Sequence, residues 1–165
     1  MVTHYIHRGL AKKNFKENTL SAFKYSFKKK YGVETDLHAT KDNRLVCFHY
    51  YNLNGKFNKN KKIKDINYSY LKKISNKKKV KVPLLNDLIK MSRNKYPLLL
   101  EIKPILGKNN LLSLIKLLKK IKKYGIISFK EKNLLNLYTN GYGYEVNRIK
   151  DYKKYNVDYY ISYNF

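Results

Sequence analysis

The chain has 165 residues, which is enough for one domain with a hydrophobic core and too few for two. A hydrophobic fraction of 43% excludes intrinsic disorder as the prevailing state. The formal net charge of +26 comes mainly from lysine, whereas arginine, the better reader of phosphates and bases, is scarce. Abundant Lys, Asn, Ile and Tyr are what an AT-rich genome produces, so we interpret most lysines as a solvated surface that still attracts anionic substrates.

The cysteine content and hydropathy indicate the compartment. Cys47 is the one cysteine, which excludes an internal disulfide framework and favours a reducing environment. Its apolar neighbours indicate a buried structural thiol rather than a nucleophile. No apolar run reaches the length of a membrane span, and the sequence opens on strand-like residues without a signal peptide. We therefore expect a cytoplasmic location.

The first elements are a strand, a polar loop and a helix. Residues 2–6 read as a short strand that ends in a His-Arg-Gly sequence at 7–9. A helix is predicted after the polar residues 17–19, because apolar residues recur at helical spacing over 20–27, and Gly32 is predicted to close it.

The next strand carries two carboxylates. Residues 33–37 are predicted to be a strand in which Glu34 and Asp36, two positions apart, project from the same face. Two adjacent carboxylates repel each other unless a cation lies between them. The chain has only 11 acidic residues, so their pairing on one strand indicates half of a metal site. Glu101, near the end of a later strand, supplies the missing third carboxylate.

The remaining predicted elements follow in chain order. The first group comprises a strand over 45–48 that delivers His49, a lysine-rich insertion or long loop at about 50–82 with a short helix at 68–74, and a helix from 83 to 89. The second group comprises a strand over 98–103, a helix over 111–121, a strand over 125–129, a helix over 134–138, and strands over 144–147 and 157–162.

This alternation predicts one α/β domain over residues 1–165, a TIM-type (β/α) barrel with its polar residues at the carboxyl ends of parallel strands. Such barrels need about 250 residues. A chain of 165 residues must therefore be shortened, lacking one or two β/α units and the last helix, with about six or seven strands.

Short motifs follow one another in a fixed order over the first hundred residues. They are His7-Arg8-Gly9, Glu17-Asn18-Thr19, Ala22-Phe23, Glu34-Thr35-Asp36, Thr40-Lys41-Asp42, His49 and Glu101-Ile102-Lys103. Taken together, this series resembles the glycerophosphodiester phosphodiesterase family. Beyond Pro104 the similarity is looser, and it rests on Ser128-Phe129, Val146-Asn147 and Val157-Asp158. The chain departs from the family at Tyr50, where the family has Asp, and in having no tryptophan.

The resemblance implies hydrolysis of a glycerophosphodiester to glycerol 3-phosphate and an alcohol, with one divalent cation, Ca²⁺ or Mg²⁺. The substrate would be a small deacylated phospholipid or a related envelope phosphodiester, which places the enzyme in lipid metabolism. The resemblance also implies roles for individual residues. Glu34, Asp36 and Glu101 would hold the cation, Arg8 and Lys103 would bind the phosphate, and His7 and His49 would be the general acid and base, in either order.

Each assignment has an alternative. The carboxylates could form a salt-bridge lattice with lysines, and the two histidines could be structural. Glu17 and Asn18 are interpreted as a helix cap and a loop tether rather than as direct ligands. His4 and His38 are placed outside the site. For the whole chain, the alternative is a catalytically degenerate barrel that binds nucleic acid or anionic lipid. The complete set of acids and histidines favours the enzyme, with no specific nucleic-acid partner. Peripheral contact with an anionic membrane and a homodimer are compatible with the sequence.

Overall fold

The computed structural model describes residues 4–13 and 16–140, together with the backbone of 147–148 and 160–164. Its strands are β1 (Tyr5–Ile6), β2 (Gly32–Ala39), β3 (Leu45–Cys47), β4 (Leu98–Ile102), β5 (Tyr124–Ser128), β6 (Asn147–Arg148) and β7 (Tyr160–Asn164). Its helices are α1 (Leu20–Lys28), α2 (Asn54–Phe57), α3 (Tyr68–Lys77), α4 (Leu85–Ser92), α5 (Lys108–Leu118) and α6 (Glu131–Tyr138), with a 3₁₀ turn at Ile63–Asp65.

The described strands form one mixed sheet in the order β1-β2-β4-β5-β7-β6, with β3 paired to β2 outside this order. Strands β1, β2, β4 and β5 run parallel to one another, as the alternation of strands and helices predicts. Their outward side chains pack against the helices in a core that includes Phe23, Val33, Leu88, Leu100 and Leu114. The inward side chains of the parallel strands are thereby left for the polar site.

Strand β3 differs from the prediction, because it runs antiparallel to β2 instead of parallel. The connection between the two strands is too short for a crossover, which needs a dozen or more residues. The turn closes as Thr40 and Arg44 exchange hydrogen bonds and Asn43 adopts a left-handed φ of 57°. His49 still follows this strand, and the Phe48 N–H donates to the Asp36 carbonyl at 2.9 Å, which holds this segment beside β2.

Several boundaries also differ. Helix α1 ends at Lys28, and the predicted stop residue Gly32 instead begins β2. The last strand, β7, runs antiparallel to β5 and β6 rather than parallel. The predicted strands over 144–147 and 157–162 lie partly outside the described residues, which contribute Asn147–Arg148 and Tyr160–Asn164.

The lysine-rich segment 50–82 is folded rather than an extended loop. Besides the predicted helix, here α3, it contains α2 and the 3₁₀ turn. A second apolar cluster forms beneath it, from Val46, Phe48, Leu53, Phe57, Ile63, Ile66, Leu71 and Val82. Its interpretation as an insertion within a single domain stays a prediction.

Two further predictions concern the burial of Cys47 and the length and polarity of the helices. Cys47 is fully buried, and burial raises its pKa to about 12, as is typical of a structural thiol. Within the described part of the chain, the helices are too short or too polar to span a bilayer.

The loop between β1 and α1 depends on Gly9. Its φ is +74°, and an added Cβ would lie 2.8 Å from Phe23 Cδ1 and 3.0 Å from the Ala22 carbonyl carbon. We expect Gly9→Ala to lower the free energy of unfolding by about 2 kcal/mol or more, because strain and overlap add. Urea denaturation checks this. Gly55→Ala is the control, since nothing lies within 4 Å of its added Cβ, and equal effects of the two substitutions would contradict the prediction.

Candidate active site

Three carboxylates converge between the middle of β2 and the carboxyl end of β4. Glu34 and Asp36 project from the same face of β2, and the parallel register places Asp36 directly opposite Glu101. One oxygen from each of the three lies within 4.8 Å of the others, and all three residues are buried. The structure therefore brings together the three side chains that the sequence proposed as one cluster.

Two cations lie against this cluster. Lys103 Nζ lies 2.9 Å from Asp36 Oδ1 and 2.7 Å from Glu101 Oε1. Arg8 Nε lies 3.1 Å from Asp36 Oδ2, and Arg8 Nη1 lies 3.2 Å from Glu17 Oε1. Asp36 is completely buried, so its charge is balanced by these two side chains rather than by water.

The three carboxyl groups differ in pKa because their partners differ. Burial, and then the neighbouring charge of Asp36, raise the pKa of Glu34 to about 8. Burial opposes ionisation of Asp36 as well, but hydrogen bonds from Asn18 and Lys103 hold its pKa below the ordinary value. Burial raises the pKa of Glu101 although Lys103 lies beside it. A negative charge is therefore most secure on Asp36.

The pKa of Lys103 is set by the same contacts. Burial works against its ammonium form, but hydrogen bonds to Glu101 and Asp36 outweigh burial and raise its pKa. Lys103 is therefore charged at neutral pH.

In the loop between β1 and α1, two residues with strained backbone angles form hydrogen bonds that connect the loop to the carboxylates. Arg8 and Asn18 both adopt left-handed φ angles, 55° and 51°, which cost about 1 kcal/mol or more each in residues other than glycine. Three hydrogen bonds hold them: the Arg8 N–H donates to Glu34 at 3.1 Å, the Asn18 N–H donates to the Arg8 carbonyl at 2.8 Å, and Asn18 Nδ2 donates to Asp36 at 2.9 Å. Among the described residues of this loop other than glycine, the strained ones are therefore those that contact the acids.

The two predicted catalytic histidines lie in different surroundings. His7 is exposed, at the carboxyl end of β1 and next to Arg8. His49 is half-buried, and burial lowers its pKa although Asp36 nearby acts in the opposite direction. Its Nδ1 is buried and has no hydrogen-bond partner among the described residues. At neutral pH His49 is therefore neutral and can accept a proton.

Sequence reasoning missed the part that His38 plays beside the site. Strand β2 stays regular to Ala39, so the alternation that groups Glu34 with Asp36 also includes His38. His38 is buried, and its Nε2 lies 3.3 Å from the His49 carbonyl oxygen. Burial lowers its pKa to about 4, so it is neutral. The i, i+2 spacing was the signal for His38, and the expected early turn concealed it.

Two further residues support the site. Asn18 is buried, accepts a hydrogen bond from the Thr35 hydroxyl at 2.7 Å and donates one to Asp36. It therefore tethers the β1–α1 loop to β2, which is one of the interpretations of this residue given above. The helix cap is Thr19, whose side chain accepts from the Ala22 N–H. Tyr51 donates to the Lys103 carbonyl at 2.8 Å and contacts the His38 ring edge to face. No spacing in the sequence predicts a contact between residues 51 and 103.

The donor set fits a hard divalent cation. Oxygen ligands from carboxylates are what Ca²⁺ and Mg²⁺ prefer, and each ionised carboxylate has about four lone-pair sites. Contacts to Lys103 and Arg8 use only some of these sites on Asp36 and Glu101. With both cations charged and all three acids ionised, the cluster carries one formal negative charge, which favours a cation.

Comparison with known proteins assigns the chain to a family. A sequence profile of the glycerophosphoryl diester phosphodiesterase family matches residues 7–160. The chain belongs to this family. The resemblance that the ordered motifs indicated is thereby confirmed. No curated protein sequence matches the chain significantly.

Solved structures of the family share the fold. A glycerophosphodiester phosphodiesterase from Thermotoga maritima is 25% identical with a TM-score of 0.74, and the match covers 93% of this chain and 65% of that one. For one from Parabacteroides distasonis the identity is 23%, the TM-score 0.69, and the coverage 82% and 60%. For an Oleispira antarctica phosphodiesterase the identity is 21%, the TM-score 0.68, and the coverage 82% and 60%.

These similarities confirm the predicted fold class, a shortened TIM-type α/β barrel. The chain spans less than two thirds of the length of each of these three structures.

Proposed function

We propose that the chain is a metal-dependent phosphodiester hydrolase that cleaves glycerophosphodiesters to glycerol 3-phosphate and an alcohol. The observation that carries this proposal is the convergence of Glu34, Asp36 and Glu101 on one point, with Arg8 and Lys103 against them. Family membership supports it. The Oleispira antarctica relative supports it too, since that phosphodiesterase was solved in complex with the product sn-glycerol-3-phosphate.

Charge is the first requirement of this reaction. A phosphodiester is anionic and resists nucleophiles, so its nonbridging oxygens need compensating positive charge. In the proposal, Glu34, Asp36 and Glu101 hold Ca²⁺ or Mg²⁺, which when bound supplies that charge as a Lewis acid. With all three acids ionised around the cation, the one formal negative charge of the cluster is outweighed, and the site becomes net positive and suited to an anionic diester.

Arg8 and Lys103 retain donors for the phosphate. The Arg8 side chain has five N–H donors, and its side-chain contacts to Asp36 and Glu17 engage Nε and Nη1. The Lys103 ammonium has three donors, and Asp36 and Glu101 engage two of them. In the proposal the remaining donors bind the nonbridging oxygens, while the carboxylates hold both cations in place.

The two histidines move the protons. In the proposal His49, neutral because burial lowers its pKa, accepts the proton of the substrate hydroxyl that attacks phosphorus. His7 donates a proton to the oxygen of the leaving alcohol, so a cyclic phosphate and a free alcohol form. Water then opens the cyclic phosphate as the two histidines exchange roles, which returns both to their initial protonation states and releases glycerol 3-phosphate.

The alternative, a degenerate barrel that binds polyanions, is not favoured. A site that no longer served catalysis would have lost some of its acids or histidines, whereas every one is present and the three acids lie together. The proposal retains a cytoplasmic location, supported by the single buried cysteine. Contact with anionic membranes and a homodimer stay predictions from the sequence.

Activity measurements test the proposal. We expect the protein to release glycerol 3-phosphate from glycerophosphodiesters with Ca²⁺ or Mg²⁺ and to lose that activity in chelator. His7→Ala and His49→Ala are each expected to lower kcat about a hundredfold or more, because each removes a proton donor or acceptor. His4→Ala is the matched control. Equal rates in all variants, or rates unaffected by chelator, would refute the proposed mechanism.

A further inference from the structure

A cavity of about 740 Å³ lies beside the β1–α1 loop, apart from the carboxylate cluster. Half of its ten lining residues are lysines, although Lys and Arg together are 37 of the 165 residues in the chain. Among the residues that the structure describes, no acidic one lines it. The lysines are Lys13, Lys16, Lys78, Lys79 and Lys81. The volume is that of a site for a small molecule.

These lysines have no acidic partner within the structure's described ranges. The salt bridges there are made by Arg8 and Lys103, with Glu17, Asp36 and Glu101. The five lysines are exposed, and together they give this concave space a positive potential. The charge of the cavity is therefore complementary to a ligand with its own negative charge. Thr19, Ser21 and Asn76 add polar groups to the lining.

The cavity and the carboxylate cluster share one loop. Asn18, which donates to Asp36, is followed directly by Thr19, which lines the cavity. Glu17, which pairs with Arg8, is preceded directly by Lys16. Neighbouring Cα atoms are only about 3.8 Å apart. The cavity therefore borders the loop whose neighbouring residues contact the carboxylates.

We propose that this cavity binds a second anionic group carried by the leaving alcohol of the substrate. The inference rests on the proposed function and deepens it: the preferred substrates are glycerophosphodiesters whose alcohol bears a further phosphate. The reacting phosphate occupies Arg8 and Lys103, and the second phosphate occupies the lysine cavity. Glycerophosphodiesters with a neutral alcohol leave the cavity without a partner and are poorer substrates.

The kinetic test compares two substrates that differ in this group. Glycerophosphoglycerol has a neutral leaving alcohol, whereas in bis(glycerophospho)glycerol that alcohol carries a second phosphodiester. We expect the ratio of kcat/KM, second substrate over first, to fall about fivefold in the double variant Lys79→Gln/Lys81→Gln, since two exposed charge pairs are lost. The matched control is Lys122→Gln/Lys123→Gln, two exposed lysines outside the cavity, which should keep the ratio of the parent. An unchanged ratio in the cavity variant overturns the proposal.

A binding measurement separates this inference from the proposed function. Calorimetric titration of the full chain with inorganic pyrophosphate in chelator reports the cavity without turnover. Besides any binding at Arg8 and Lys103, which all variants share, we expect a binding event that the cavity variant loses and the control variant keeps. If the parent hydrolyses neither substrate but binds pyrophosphate in this way, the proposed function fails and the anion site stands. Equal binding by both double variants overturns the anion site.

Lipid vesicles distinguish a substrate group from a membrane headgroup. The same variants are sedimented with vesicles containing anionic phospholipid. Loss of vesicle binding in the cavity variant, together with an unchanged substrate ratio, overturns the substrate subsite in favour of a membrane contact. A lowered substrate ratio with vesicle binding equal to that of the control supports the subsite.

Discussion

Asp36→Asn is expected to lower kcat/KM for a glycerophosphodiester by about a thousandfold, the largest effect of any single substitution in this chain. Asp36 is the fully buried member of the acidic cluster, and it contacts Arg8 at 3.1 Å and Lys103 at 2.9 Å. Replacing the Asp36 carboxylate with a neutral amide removes the negative charge that holds the cation and pairs with Arg8 and Lys103. Rates of glycerol 3-phosphate release at saturating cation measure the loss.

The shape of the side chain is preserved in Asp36→Asn, so the comparison isolates charge. The amide oxygen of the substituted side chain can still accept from Asn18 Nδ2, but its amide nitrogen cannot accept from Lys103. Removing one partner of a buried pair costs about 3–5 kcal/mol, so circular dichroism must first show that the variant is folded. Asp65→Asn, the same change at an exposed acid, is the control and should leave the rate within twofold.

Cation binding gives a second readout of the same substitution. Calorimetric titration with Ca²⁺ or Mg²⁺ should show one site in the parent and in Asp65→Asn, and greatly weakened binding in Asp36→Asn. If a folded Asp36→Asn protein bound the cation as tightly as the parent and kept its rate within tenfold, the carboxylate cluster would not be the metal site.

The acidic cluster could be predicted from the sequence because strand geometry fixes it. Alternation along β2 decides that Glu34 and Asp36 share a face, and two parallel strands must bring their carboxyl ends together. The register between β2 and β4, with Asp36 opposite Glu101, is a property of the folded sheet and does not follow from the pattern of either strand. Local patterns thus indicate which acids can meet, although not their register, their distances or their hydrogen-bond partners.

The direction of β3 could have been predicted, but the alternation of strands and helices obscured it. A few turn residues between Ala39 and Leu45 permit a hairpin and exclude a crossover helix. The expectation of a parallel barrel therefore overrode a local signal. His49 nevertheless arrives beside Asp36, because the hairpin folds back along the strand that carries the acids.

The fold of residues 50–82 could not be predicted in the same way. Its buried apolar residues are irregularly spaced, and they pack against Val46 and Phe48 from β3 and its end rather than along one helical face. Contacts of this kind depend on where the chain returns in space. The pairing of Lys103 with Asp36 was hidden for another reason, since lysine is so frequent here that its position carries little information.

Glu34→Gln is expected to stabilise the protein at pH 8 in chelator, because ionisation of the buried Glu34 destabilises the folded state at that pH. Its pKa in the folded protein is raised to about 8, above the ordinary 4.5, by burial and by Asp36. The folded state therefore binds this proton more tightly than the unfolded state does. The stabilisation that comes from this tighter proton binding at Glu34 is complete below about pH 4.5 and is lost as the pH rises toward 8.

The size of the effect follows from the shift. Each pKa unit corresponds to about 1.4 kcal/mol, so the free energy of unfolding should fall by about 4 kcal/mol across this window through Glu34 alone. The raised pKa of Glu101 acts with the same sign. The lowered pKa of Asp36 acts with the opposite sign, but below the ordinary Asp value and therefore outside the window. The lowered pKa values of His38 and His49 act with the opposite sign inside the window, so urea denaturation at pH 5, 6.5 and 8 must compare the slope of the parent with that of Glu34→Gln.

The difference between variants is the decisive quantity, because the net charge of +26 makes the whole chain respond to pH. In chelator, Glu34→Gln should match the parent near pH 5 and exceed it in stability by several kcal/mol at pH 8. Glu131→Gln, at an exposed acid, is the control and should follow the parent at every pH. Divalent cation should narrow this difference at pH 8, since a cation at 100 times its Kd stabilises the parent by about 2.7 kcal/mol and the glutamine variant by less. If the parent and Glu34→Gln lost stability in parallel as the pH rose, with and without cation, the prediction would be wrong. Glu34 would then already be ionised in the folded protein and would hold no cation.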